Sequence, residues 1–347
     1  MAGGRLLQNA TGALNERSML PFSLVYHDGF YLPLGAHVFP GEKYGLVHER
    51  LLETRAAAES DFVTPQTIAM EDVLRVHERG YVERLIDGTL SEQEILRMEL
   101  PYSKPLIDAT LLGCGGTLQA ARLALRDGAA CSIGGGFHHA HSGHGEGFCI
   151  LHDVAIALAR LLHESTIERA MVIDLDVHDG NGTAAIFPPT GQHRHEPLRY
   201  GVACGSMTAS AEGVFTLSMH QQNNYPFHKP PSSLDVPLAD GTGDAQYLEA
   251  LEGALEAVFA HFRPQLIAYI AGADPYMEDK LGGLALTIDG LKQRDRMVFR
   301  AAQTAGAPAF SVYAGGYAMR VEDTVTIHAN TVLAAAEVFS FHGATSC

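Results

Sequence analysis

The segment Ala170-Met171-Val172-Ile173-Asp174-Leu175-Asp176-Val177-His178 decides how the rest of the chain is read. Its apolar run predicts a strand over 170–177 buried on both faces, as in a parallel sheet covered by helices. The polar residues come only at its carboxyl end, and they alternate with apolar ones. In an extended chain Asp174, Asp176 and His178 would share one face while Ile173, Leu175 and Val177 turn to the core. Two carboxylates and an imidazole on one buried face are costly without a proton or cation to compensate them. A divalent metal does so, and Asp and His donors suit zinc, whose catalytic sites take three protein ligands and keep one position open. A salt-bridged core cluster is the competing reading.

Outward from this segment the same design recurs. The apolar run Ala129–Ile133 leads into Gly134-Gly135-Gly136-Phe137-His138-His139, Leu266–Ala271 into Gly272-Ala273-Asp274, and Ala309–Ala314 into Gly315-Gly316-Tyr317. Ligands of open parallel sheets bind beyond the carboxyl ends of the strands. Four strands that deliver glycines and then His, Asp or Tyr to that edge describe an active-site floor, with the glycines allowing close backbone approach. Asp274, at the end of such a unit, is the natural third metal ligand. His138 and His139 fit an acid–base pair. His141 and His144 fall in a Gly/Ser-rich turn and read as solvent-facing, and Cys149 reads as a buried, inert thiol.

Helices are expected between the strands: 71–86, with Val73, Val76, Val82 and Leu85 on one side; 106–126, interrupted near Gly115 and Gly116; 152–163; 245–262; 289–305; and 321–341. A further strand is expected over 214–219. No composition break, repeat or linker divides the series. One α/β domain over 1–347 is therefore expected, with a loosely ordered N-terminal segment over 1–22.

Composition narrows the function. With 24 basic against 40 acidic residues, a net charge of −16 argues against a nucleic-acid partner. It is compatible with a cationic substrate, a polyamine or a lysine-rich peptide. The five cysteines form no CxxC pair and no even framework, which suggests a reducing compartment. No apolar core of a signal peptide begins the chain and no run of about 18 apolar residues occurs, so no membrane association and a cytoplasmic location are expected.

The motifs together resemble the zinc-dependent histone deacetylase superfamily. The resemblance rests on Gly-Gly-Gly-Phe-His-His (134–139), Gly147-Phe148-Cys149, Asp-Leu-Asp-Val-His-Asp-Gly-Asn-Gly-Thr (174–183), Ala-Gly-Ala-Asp (271–274), Asp279-Lys280-Leu281-Gly282-Gly283 and Gly-Gly-Tyr (315–317). It runs from about Tyr26 to the last helix. Gly115-Gly116-Thr117, Asp-Lys-Leu-Gly-Gly-Leu (279–284) and Arg294-Asp295 look most like the class IV branch and its bacterial relatives. The resemblance implies the arginase/deacetylase fold, with Zn²⁺ held by Asp176, His178 and Asp274. It makes His138 and His139 the catalytic pair, with Asp174 orienting the first. Asn181 stands where many members carry a second aspartate, so His139 should be less basic, hence neutral and better suited to act as general base.

Tyr317 would hydrogen-bond the substrate carbonyl. Gly147, Phe148, Tyr225 and Leu281 correspond to tunnel walls, and Lys43 to a basic residue lining the product pocket. A structural potassium ion is implied near Asp174, Asp176, His178, Ser218 and Met219, and a second one near Phe187. The implied reaction is removal of acetyl or longer acyl groups from lysine side chains. An acetylpolyamine is the alternative substrate. An arginase-like dimanganese site fits less well, because Gly180 stands where its further carboxylate is needed. The stretches 89–104 and 188–214 are expected to form rim loops, which set substrate choice.

Overall fold

The computed structural model describes residues 18–190 and 207–340. Eight parallel strands form one sheet: β1 (Ser23–Val25), β2 (Phe62–Val63), β3 (Ala129–Ser132), β4 (Ala170–Asp174), β5 (Val214–Gln221), β6 (Leu234–Leu238), β7 (Leu266–Ile270) and β8 (Ala309–Val312). Their spatial order is β2-β1-β3-β8-β7-β4-β5-β6. The four strands singled out by their polar carboxyl ends are thus consecutive neighbours, β3-β8-β7-β4, at the middle of the sheet. Every residue of these four is buried, as an interior parallel sheet requires. β6, by contrast, is an edge strand in which Leu234, Val236 and Leu238 are buried and alternate with the less completely buried Asp235 and Pro237. This weak pattern did not announce a strand.

Ten helices are described: α1 (Lys43–Glu53), α2 (Met70–Val73), α3 (Arg79–Asp87), α4 (Glu92–Met98), α5 (Lys104–Asp127), α6 (Asp153–His163), α7 (Asn181–Ile186), α8 (Asp244–His261), α9 (Ile288–Ala305) and α10 (Val321–Phe339). α5 packs along β1, β3 and β8 and against α6, while α8, α9, α10 and α1 form a consecutive series of packed helices. None of the described helices is long and apolar enough to cross a membrane.

Three expectations need correction. The helix expected over 71–86 is two helices, because the chain breaks between Val73 and Arg79 to bind elsewhere. There the His77 ring bonds His141 O at 3.0 Å and receives His152 N–H at 3.0 Å, and Glu78 N–H reaches Ser142 O at 2.8 Å. α5, in contrast, runs uninterrupted through Gly115 and Gly116. A Cβ at Gly115 would lie 1.8 Å from Gln66 O, and one at Gly116 2.5 Å from the Phe30 ring. These glycines permit close packing, and burial offsets their poor helix propensity of about 1 kcal/mol each.

The strand over 170–177 ends at Asp174, so the shared face of Asp174, Asp176 and His178 is not that of an extended chain. Asp174 Oδ1 accepts Asp176 N–H at 3.2 Å, and Asp176 Oδ1 accepts His178 N–H at 3.0 Å. Each aspartate bends the chain over its own side chain, as Asx turns do. Of the N-terminal segment 1–22, residues 1–17 lie outside the described residues; within 18–22, Met19 and Leu20 N–H donate to Asp61, and Phe22 is buried. Of the rim stretches, 89–104 contains α4, and much of 188–214 lies outside the described residues.

Candidate active site

The carboxyl ends of β3, β8, β7 and β4 form the floor of the site. Asp176, His178 and Asp274 converge there, all buried, with their ligand atoms within 4.8 Å of one another. Backbone amides set the carboxylates. Asp176 Oδ2 accepts Gly315 N–H at 2.8 Å, and Asp274 Oδ1 accepts Val177 N–H at 2.9 Å. The loop after β8 thereby holds the Asp176 carboxylate, and the loop after β4 holds that of Asp274. Gly315 must lack a side chain, since its Cβ would fall 1.9 Å from Asp274 Oδ2. Gly136 needs its left-handed φ of 88°, and a Cβ there would meet Ala314 N at 2.5 Å.

This donor set fits a divalent cation. Asp274 Oδ2 is buried and makes no hydrogen bond among the described residues, although His178 Nδ1 lies 3.3 Å away. Burial and then the neighbouring Asp176 charge push the Asp274 carboxyl up to about 7. An ion held by all three side chains removes that strain, and two carboxylates with one imidazole suit zinc.

The two histidines differ in their partners. His138 Nδ1 lies 2.7 Å from Asp174 Oδ2, while His139 Nδ1 lies 2.6 Å from Asn181 Oδ1. Burial opposes protonation of His138, but the Asp174 and Asp176 carboxylates overcome it and raise its pKa to about 9. Burial, then the adjacent His138 and His178, hold His139 well below the usual histidine range. The environments separate the pair into a proton holder and a neutral base. Glu146 Oε1 accepts the Asn181 amide N–H at 2.8 Å, which turns the amide oxygen toward His139. With Nδ1–H donated to that oxygen, His139 keeps its Nε2 lone pair free.

Above the floor opens a pocket of about 220 Å³, lined by His139, His178, Tyr317, Gly147, Phe148, Tyr225 and Leu281, with Asn224 and the exposed Glu99. All four expected wall residues are therefore in place. The Phe148 and Tyr317 rings meet edge-on at 5.9 Å, and Tyr225 stands edge-on to His139 at 5.0 Å. Burial pushes the Tyr317 phenol well above its usual range, so it remains an O–H donor. Lys43 is fully buried below, donating to Ala314 O at 2.6 Å over the Phe39 ring. Desolvation pulls its ammonium down to about 8, against the opposing pull of Asp274 and Asp176. Asp174 and Ser218 are register partners on β4 and β5, Met219 follows, and Phe187 ends α7.

The family model for the histone deacetylase domain matches residues 37–333. The chain belongs to the histone deacetylase family. An uncharacterized protein of a Picosynechococcus strain is 38% identical, over 92% of this chain and 99% of that one. Histone deacetylase 2 of Arabidopsis thaliana is 31% identical, over 81% of this chain and 70% of its own length. The solved structure of a histone deacetylase homologue from Aquifex aeolicus shares the fold, with a TM-score of 0.72 at 22% identity over 92% of this chain and 84% of the other. The architecture is the arginase/deacetylase fold, and the chain is an enzyme that hydrolyses amides.

Several residues that hold this deacetylase site together were not foreseen. Asp153 accepts the N–H groups of Gly136 and Phe137 and the Thr117 hydroxyl, clamping the glycine loop before the histidines. Asp279 accepts Tyr317 N–H at 2.6 Å and also the Leu281 and Gly282 N–H groups, so one carboxylate places a wall residue and the tyrosine. Arg294, fully buried on α9, donates to Leu175 O at 3.2 Å and Gly272 O at 2.7 Å, bracing both ligand loops. The visible signal was a charged pair, Arg294-Asp295, on the helix face that otherwise packs inward. His141 and His144 are not free in solvent: their rings stack at 4.5 Å, and His144 Nε2 lies 3.2 Å from Glu146. Cys149 is buried, and burial pushes its thiol well up, as an inert thiol requires.

Proposed function

We propose that the chain is a zinc-dependent deacylase, a single catalytic domain that removes acetyl or longer acyl groups from lysine side chains. The observation that carries the proposal is the content of the small aromatic-walled pocket, where a neutral histidine, a metal-type cluster and a protonated tyrosine meet. Asp176, His178 and Asp274 would hold the zinc. When bound, that ion supplies Lewis acidity toward the amide carbonyl and the attacking water.

The chain's own groups supply the remainder. His139 accepts the proton of the attacking water at Nε2, its Nδ1–H being committed to Asn181. Tyr317 donates its hydroxyl hydrogen to the carbonyl oxygen as negative charge develops there. His138, kept protonated by Asp174, is the reserve of the proton that the leaving amine needs. Phe148, Tyr225 and Leu281 favour an uncharged linear stem. Lys43 is assigned to the product pocket. Structural potassium is assigned to Asp174, Asp176, His178, Ser218 and Met219, and a second ion to the vicinity of Phe187.

The class IV-like motifs favour acyl chains longer than acetyl, and the cytoplasm is the assigned compartment. The second reading, an acetylpolyamine substrate, draws on the net charge of −16 and on exposed Glu99 at the pocket mouth. One assay tests both: kcat/KM on lysine peptides differing only in acyl length, beside acetylspermidine. Rising values along the series are expected, since each buried CH₂ is worth about 0.8 kcal/mol. Acetyl as the best acyl group removes the long-chain preference, and acetylspermidine as the best substrate replaces the lysine reading.

A further inference from the structure

Directly after the ligand His178 stands a second cluster of the same composition. Asp179 follows β4, His220 lies on β5 and Asp235 on β6, and their ligand atoms all lie within 4.8 Å of one another. Asp179 is fully buried and His220 is 3% exposed. The cluster shares no residue with Asp176, His178 and Asp274.

Its hydrogen bonding is incomplete in a specific way. Both carboxylate oxygens of Asp179 and Oδ1 of Asp235 are buried without a hydrogen-bond partner among the described residues. Asp235 Oδ2 is engaged by Ser232 N–H at 3.0 Å, so the free oxygen is the one left for the cluster. His220 Nδ1 sits 3.2 Å from Asp179 Oδ2 and 2.9 Å from Ser218 Oγ. The nearby cation Lys229 is spent on two carbonyls, Asn224 O and Pro226 O, each at 2.6 Å. Three orphaned carboxylate oxygens in one buried place represent a large unmet desolvation cost.

We propose that Asp179, His220 and Asp235 form a second metal site, for a zinc-type divalent ion, which ties the loop after β4 to β5 and β6. Two carboxylates and one imidazole suit zinc or manganese better than potassium, which prefers oxygen ligands throughout. Asp179 does not line the pocket above the catalytic floor, so the role is structural: the ion would pin the residue next to His178 and with it the edge of that floor. The proposal uses Asp179 and Asp235, which neither the catalytic zinc nor the potassium assignment involves.

The experiment is metal analysis of folded protein dialysed after zinc loading, on three chains: wild type, Asp176→Asn/Asp274→Asn, and Asp179→Asn/Asp235→Asn. Zinc should fall from about two ions per wild-type chain to about one in each double variant. Adding zinc to metal-stripped Asp176→Asn/Asp274→Asn protein should also raise its Tm, and adding Asp235→Asn to that chain should remove the rise. One zinc in wild type and none in Asp176→Asn/Asp274→Asn would leave the deacylase reading standing and overturn this proposal. One zinc in wild type, retained in Asp176→Asn/Asp274→Asn, would do the reverse. If Asp179→Asn/Asp235→Asn does not fold, the first two chains still decide. Stabilisation by potassium but not by zinc or manganese overturns the proposal.

Discussion

The two ends of the same strands have little in common. Beside the amino end of β7, near Arg263 and Pro264, a groove of about 510 Å³ lies between α8 and α9, lined by Phe259, Met297 and exposed Glu256 and Arg300. At the carboxyl ends lies a pocket less than half that size, about 220 Å³. The larger space has charges that water already solvates and no histidine in its lining. The smaller has buried polar groups that converge from four strands, paired with one another except at Asp274 Oδ2, which has no hydrogen bond among the described residues. Convergence of buried polar groups, not volume, separates a reaction site from a gap between helices.

The hardest test of this contrast is removal of the metal-type cluster. Asp176→Ala or His178→Ala should remove the zinc of this cluster, about one ion per chain, and reduce hydrolysis to background, measured by metal analysis and turnover on an acyl-lysine peptide. Two manganese ions per chain together with arginine hydrolysis would instead point to a ureohydrolase.

Tyr317→Phe should retain the metal and the fold yet lower kcat by about 10²–10³-fold, the cost of one oxyanion donor. Unchanged kcat on a substrate limited by chemistry would reduce Tyr317 to a packing residue.

Acid should also distinguish the two ends. Burial holds His77 at about 4 and His220 at about 3, below the ordinary 6.5. The unfolded chain then binds more protons than the folded one between those values, so stability falls as pH drops from 6.5 toward 4. His77 alone accounts for on the order of 3 kcal/mol over that window. In native-state hydrogen exchange, protection around 77–78 and 141–152 should be lost before that of α8 and α9. His77→Gln should flatten the fall in Tm, and an unchanged acid profile would show that other groups carry it.

The smallest expected effect is at the groove. Glu256→Gln should change kcat/KM by less than about two-fold and stability by no more than about 0.5 kcal/mol, as for an ordinary surface position. A larger loss of activity would make the groove part of the catalytic machinery and dissolve the contrast.

What could be read in advance follows the same division. The strand ends were legible because an apolar run closed by Gly, His, Asp or Tyr leaves few other readings. That all four strands are neighbours was not written in any one of them; strand order emerges from the packing of the whole chain. The bend over 174–178 was hidden because period-two polarity describes a strand and a pair of Asx turns equally well. The unbroken α5 was hidden because Gly115 and Gly116 look like helix breakers until Gln66 and Phe30 are seen against them. Asp153 looked like an ordinary acidic residue opening a helix. Its partners, Gly136 and Phe137, lie in a loop seventeen and sixteen residues earlier.

Arg294 has a practical consequence for anyone reshaping this enzyme. Its guanidinium grips carbonyls in both ligand loops, and Asp295 beside it takes the Tyr269 and Thr331 hydroxyls, reaching β7 and α10. The spacing of the ligands is therefore set from behind, by a helix that contributes nothing to the pocket. A graft of the four strand-end loops onto another doubly wound scaffold would carry every reacting group and still lack this gauge. The transplantable unit is the loops together with α9 and its seat on α10.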